Sequence, residues 1–108
     1  MTNIFKIIHG DCFRFKYEIP ADLNPGDIIY IGVMYPHQPF EDSIITRKFI
    51  LSAADFKRGY IYVKWTSDEL YRLDPDVYYY AIKCLRTDGR VETLRDKTKL
   101  VIIDDTHL

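Results

Sequence analysis

Hydrophobic and polar residues alternate along much of this chain, and the period is two. From Phe13 to Ile19 the odd positions carry Phe13, Phe15, Tyr17 and Ile19, while the even positions carry Arg14, Lys16 and Glu18. Successive side chains of a strand point to opposite faces, so this run predicts a strand with one face on a core and one in water. Ile61, Val63 and Trp65 alternate with Tyr62, Lys64 and Thr66 in the same way. Ile28–Tyr35 is apolar on both sides and broken only by Gly32, which predicts a central strand. Ile44–Leu51 carries Thr46, Arg47 and Lys48 in its middle and predicts an edge or half-exposed strand. Ile4–Ile8, Tyr78–Leu85 and Lys99–Ile103 complete a set of about seven.

Turn chemistry separates these runs. Pro20, Asn24, Pro25, Gly26 and Asp27 form one connection, and Pro36 and Pro39 bracket another. Asp88-Gly89 between two extended runs predicts a tight hairpin whose positive-φ residues are that pair. Ser52-Ala53-Ala54-Asp55 has the look of a capped helical turn, and Thr66-Ser67-Asp68-Glu69 has capping-box spacing. Neither should exceed a turn or two. With no repeat, linker or low-complexity tract, residues 1–108 read as a single all-β domain, a β-sandwich in preference to a small barrel.

Composition agrees with this class and narrows the function. There are 14 Ile, 9 Tyr and 6 Phe against 8 Leu and 4 Ala, a bias towards residues that fit a pleated surface. The net charge is -1, which argues against a dedicated nucleic-acid binder. No apolar run approaches the roughly 18 residues of a membrane span. The start of the chain, Met1-Thr2-Asn3-Ile4-Phe5-Lys6, lacks the pattern of a secretory leader, so synthesis and folding in a cytoplasm are expected.

Leu73-Asp74-Pro75-Asp76-Val77-Tyr78 leads into a strand and resembles the tyrosine corner of immunoglobulin-like sandwiches. In that corner the tyrosine hydroxyl bonds to backbone a few residues upstream. Tyr78 with Leu73 and Pro75 is therefore the structural candidate, and the fold expected is an immunoglobulin-like antiparallel β-sandwich of about seven strands. Tyr78, Tyr80, Ile82 and Cys84 should face inward, and Tyr79, Ala81 and Lys83 outward. Cys12 and Cys84 fall in the second and sixth strands, but Tyr80 occupies the position of the second immunoglobulin cysteine. Cys12 also shares a face with Arg14 and Lys16, so two free thiols are expected.

Chemistry is sparse. His9, Asp11 and Cys12 lie close together without a second cluster at ligand spacing, His37 stands alone between prolines, and His107 falls near the end of the chain. Glu41-Asp42 and Asp104-Asp105, if on strands, would point to opposite faces and could not form an acid–base couple. Nucleophile-elbow, phosphate-loop and zincin motifs are absent, so neither an enzyme nor a cofactor is expected. Outward tyrosines remain: Tyr60 and Tyr62 on one strand and Tyr79 on another are candidate contacts for a partner surface or a sugar, or pack under loops. Arg47 and Lys48 on the edge run would discourage unrestricted pairing and favour a charge-matched partner.

Three segments extend the resemblance. They are His9-Gly10-Asp11-Cys12-Phe13, then Ile31–Asp42 with its Tyr35-Pro36-His37-Gln38-Pro39 centre, and Leu73–Lys83 followed by Asp88-Gly89 and Thr93-Leu94. Together they resemble the N-terminal domain of phage baseplate upper proteins and short stand-alone relatives, over about residues 9–103. Asp76 departs from that pattern, where glycine usually follows the proline, and no trunk or receptor-binding region follows Asp104. The resemblance implies a non-enzymatic structural or adaptor component of a phage or prophage tail. Such a protein is made in the host cytoplasm, carried on the virion, and docks onto other tail proteins or copies of itself. The competing reading is a carbohydrate-binding module that stacks sugars on the exposed tyrosines.

Overall fold

The computed structural model describes residues 4–104. Its elements in order are β1 (Phe5–Ile8), β2 (Phe13–Glu18), β3 (Ile28–Met34), a 3-10 turn (Phe40–Asp42), β4 (Ile45–Ile50), α1 (Ala53–Arg58), β5 (Tyr60–Trp65), α2 (Ser67–Tyr71), β6 (Val77–Leu85) and β7 (Val91–Ile103). The fold is all-β: a five-stranded sheet of order β1-β7-β6-β3-β4 and a two-stranded sheet of β2 and β5.

Inward residues of the two sheets meet in one core. Ile61, Val63 and Trp65 of β5 and Tyr17 of β2 are buried with Ile29, Ile31 and Val33 of β3 and Tyr78, Tyr80 and Ile82 of β6. Rings dominate one flank: Phe5 stacks on Tyr80 at 4.9 Å and touches Phe13 and Phe15 at 4.9 and 4.8 Å, and Trp65 lies against Phe15 at 5.4 Å. The Trp65 indole N–H is buried with no hydrogen-bond partner among the described residues, enclosed by these rings. A salt-bridge network holds the end where β3 begins and β6 ends. Arg86 reaches Glu92 at 3.0 Å, Asp22 at 2.9 Å and Asp27 at 3.3 Å, and buried Asp27 also accepts the backbone N–H of Asn24 and Thr87.

Several expectations need correction. Sheet pairing is not antiparallel throughout, because β1 runs parallel to β7 with Phe5 opposite Leu100. The chain crosses to the other sheet right after β1, so no hairpin joins this pair and either direction is open to it. β7 covers 13 residues, far more than the run Lys99–Ile103, because its first half is polar and its register shifts opposite Tyr80–Lys83. The hairpin spans Arg86–Arg90, and only Gly89 has positive φ, at 92°. Gly89 N–H bonds to Arg86 O at 2.9 Å and Arg86 N–H to Arg90 O at 2.8 Å, so the longer loop leaves Asp88 in ordinary backbone. Cys12 precedes β2 and is exposed, while Cys84 is buried on β6; both are free. Glu41 and Asp42 lie in the 3-10 turn and not on a strand. Ala81 is outward-facing yet buried, because the segment after β3 folds over that face. Phe40 and Ser43 of this segment sit directly on Gly32, where an added Cβ would meet the Phe40 ring at 3.0 Å. His107 and Asp105 lie outside the described residues.

Candidate functional site

The outward face of the small sheet carries an ordered set of cations and aromatic rings. The register sets Arg14 opposite Lys64, Lys16 opposite Tyr62 and Glu18 opposite Tyr60. These residues all point away from the core because their neighbours Phe13, Phe15, Tyr17, Ile61, Val63 and Trp65 point into it. The cations cross to the rings: Arg14 Cζ lies 4.8 Å from the centroid of Tyr62, and Lys16 Nζ lies 4.4 Å from that of Tyr60. Arg58, at the end of α1, adds a second cation 5.3 Å from Tyr60, and the two rings meet edge-on at 5.2 Å. Each such contact is worth about 0.5–1 kcal/mol at an exposed site. It also orders a long side chain that would otherwise be free.

Charge on this face is not balanced. Arg47, Arg58, Arg86 and Arg90 all form ion pairs, whereas Arg14, Lys16 and Lys64 have none among the described residues. Arg14 and Lys64 stand directly opposite each other, a placement of like charges that disfavours the free sheet.

The sheet edges differ as well. In an antiparallel pair, residues alternate between bonding across the pair and turning their N–H and C=O away from it. Ile19 N–H donates to Gly59 O at 3.0 Å, which sets the phase: Arg14, Lys16 and Glu18 of β2 turn outward, as do Tyr60, Tyr62 and Lys64 of β5. The β5 edge is partly blocked by side chains, with Arg58 Nε donating to Tyr60 O at 3.0 Å and Arg47 Nε to Lys64 O at 3.1 Å. Arg47 also donates through Nη1 to Thr46 O of its own edge strand at 2.8 Å, and through Nη2 to Glu69 of α2. One guanidinium therefore joins β4, β5 and α2. Glu69 is held there by the capping box of α2, in which it accepts the Thr66 N–H at 3.0 Å. The hydrogen bond from Arg47 keeps the Glu69 carboxyl below the usual carboxylate range, against the opposing effect of burial. On β2 the outward backbone groups of Arg14, Lys16 and Glu18 have no hydrogen-bond partner among the described residues.

The residues singled out in the sequence thus fall in four places. Tyr60 and Tyr62 share the small-sheet face. Tyr79 does not join them: it is half-buried on the outer face of the large sheet, between Met34 and Lys99. Lys48 also lies on that outer face, 6.0 Å from the Tyr30 ring, while Arg47 turns the other way and is committed internally. Arg47 is therefore a sheet-to-sheet tie and not a free contact for a partner. Tyr78 is where the corner motif puts it, its hydroxyl donating to Asp74 O at 2.7 Å, with Leu73 buried and Pro75 exposed in the loop between. Burial and the nearby Tyr35, Asp76 and Asp74 push the Tyr78 phenol up to about 12.

Sequence reasoning missed Arg14, Lys16 and Lys64 as a group. Their signal was present as the polar half of two alternating runs, but only the pairing of β2 with β5 makes them neighbours. His9 is occupied by Tyr71, stacked on its ring at 5.1 Å and bonded through Nε2 to its carbonyl oxygen at 2.8 Å. Among the described residues no group of three or more His, Cys, Asp or Glu side chains is placed to hold a metal ion. A shallow groove of about 360 Å³ lies on the outer face of the large sheet, lined by Tyr30, Phe40, Thr46, Lys83 and Val91. No helix among the described residues is long and apolar enough to cross a membrane. No protein-family model matches the chain, and no curated protein matches it either.

Proposed function

We propose that this chain is a non-enzymatic docking component of a phage or prophage tail or baseplate, carried on an immunoglobulin-like sandwich. Three features support the sandwich reading: the order β1-β7-β6-β3-β4 facing β2-β5, the seven strands, and the Tyr78 hydroxyl bonded to Asp74 O at 2.7 Å. The observation that carries the docking reading is the asymmetry of the edges. Arginines occupy two outward carbonyls of β5 and one of β4, while β2 keeps all its outward backbone groups open beside a face of unpaired cations. An unguarded edge invites association, and soluble proteins ordinarily block it. The sugar-binding alternative needs a bare ring face, yet the Tyr60 ring carries both Lys16 and Arg58. Partners are then other tail proteins or further copies of this chain, and the protein travels with the virion.

The test is fractionation of a phage or prophage lysate that produces the tagged chain. It should sediment with tail or baseplate particles and be cross-linked there to a tail protein. Recovery only in the unassembled fraction, with turnover in a hydrolase screen, rejects the reading.

A further inference from the structure

We infer that the open edge of β2 takes up an extended acidic segment of a partner protein as an added strand, a mode that rests on the docking reading above. Backbone and side chains point to the same occupant. Arg14, Lys16 and Glu18 present their N–H and C=O groups on one line, and alternate residues of a strand recur about every 6.8 Å, the repeat an added strand would match. An added strand continues the pleat, so every second side chain stands on the outer face beside Arg14 and Lys16. Acidic residues there would meet cations that have no carboxylate partner among the described residues. They would also relieve the repulsion of the facing pair Arg14 and Lys64. The intervening side chains fall on the inner side, next to the half-buried rings of Phe13 and Phe15, and should be apolar.

Tyr60 and Tyr62 give the face its geometry. Held 4.4 and 4.8 Å from ring centroids, the Lys16 and Arg14 head groups are already gathered on the sheet surface. A partner then loses less side-chain entropy in engaging them. A sequence alternating acidic and apolar residues over five or six positions is the chemistry this edge fits. Edge pairing on β5 is disfavoured, because Tyr60 O and Lys64 O already accept arginine donors.

The experiment uses the full chain and a capped nine-residue peptide alternating Glu and Val, with binding followed by fluorescence anisotropy. A peptide alternating Lys and Val, an oligothymidine of similar charge, and the Glu-Val peptide N-methylated at alternate residues serve as comparisons. The inference expects the acidic peptide to bind at micromolar concentration and the basic peptide not to bind. N-methylation on the pairing edge should weaken binding at least about tenfold, because it removes the backbone donors. Lys16→Glu should weaken binding by a similar factor, whereas Lys99→Glu, the same charge change on the other sheet, should leave it unchanged. Glu18→Pro removes one outward N–H without touching the β2–β5 ladder, and should weaken binding although it makes the face more positive. Thermal midpoints check that the variants fold, and the N-methylated peptide gives the same answer from the ligand side if Glu18→Pro does not.

Equal binding of the peptide and its N-methylated form, or tighter binding of oligothymidine, overturns strand addition in favour of a general polyanion face. Failure to bind the acidic peptide also overturns it. If the chain still sediments with tail particles in that case, the docking role stands by another surface. Peptide binding without particle association overturns the role and leaves the edge chemistry.

Discussion

Three successive tyrosines meet three different surroundings. Tyr78 is buried and donates its hydroxyl to Asp74 O, Tyr79 is half-buried on the outer face, and Tyr80 stacks on Phe5 and accepts a bond from Arg95 at 3.1 Å. Strand alternation alone separates the middle ring from its neighbours, but only the loop upstream distinguishes Tyr78 from Tyr80. Tyr78→Phe should cost about 1–2 kcal/mol, since it leaves a carbonyl oxygen without its donor. Tyr79→Phe should stay within about 0.5 kcal/mol. Urea denaturation of the two variants side by side checks this, and equal, negligible losses would remove the corner. The thiols divide in the same manner. Exposed Cys12 should react with a thiol reagent at once, giving one equivalent in the native protein without reductant, and Cys84 should add the second only on unfolding. Burial first, and then the Asp27 charge, pushes the Cys84 thiol up, which slows it further.

Individual elements are short and owe their position to specific ties. α1 and α2 have six and five residues, too few to persist alone, and each begins with a capping box, Ser52 with Asp55 and Thr66 with Glu69. The second box does more than start a helix, because its Glu69 also receives the Arg47 guanidinium. Arg47 thereby ties edge strand β4 to β5 and α2 by two donors, while a third caps Thr46 O of its own strand. Lysine cannot reproduce that fork, so Arg47→Lys should cost about 1–3 kcal/mol despite keeping the charge. Chemical denaturation measures the cost, and hydrogen exchange should show the loosening at β4, β5 and α2 in preference to β1 and β7. An unchanged midpoint would mean that the tie contributes nothing.

At the scale of the whole molecule, the ionisable groups set a pH window. Hydrogen bonding holds four carboxyls low: Asp27 against the upward pull of its burial, Asp55 by the Ser52 N–H, Glu69 by Arg47, and Asp88 by the Arg90 N–H. A depressed carboxyl contributes stability that is complete above its unfolded value and is lost as pH falls through its folded value. Tyr78 acts in the opposite sense. Its folded value, raised from 10.0 to about 12, contributes stability that is present below 10.0 and is lost as pH rises towards about 12. Tyr17 and Tyr80 are raised by burial in the same direction. Thermal midpoints should therefore be level from about pH 5 to 9 and fall on both sides. Tyr78→Phe should flatten part of the alkaline fall, and an alkaline limb identical to wild type would rule out Tyr78 as its source.

Local pattern determined much of this protein. Period-two alternation and short apolar runs located six of the strands within a few residues and the last third of β7, whose polar first part, residues 91–98, gave no such signal. Capping residues marked both helices. These signals are local because side-chain direction and turn geometry depend on a few neighbouring residues. The run of residues 73–78 likewise pointed to the local bond from the Tyr78 hydroxyl to upstream backbone, which the structure has at Asp74 O. Tertiary structure alone decided which edges close and which remain open. Arg47 appeared as an edge charge but became an internal tie, because its fork can reach Lys64 O and Glu69 only after the sheets have packed. Arg86 and Asp27 lie far apart in sequence and meet only when β3 and β6 pair. Arg14, Lys16 and Lys64 likewise belong to two strands that are distant along the chain. Their common face exists only because the register of β2 on β5 places them together, and single-strand alternation carries no information about register between strands.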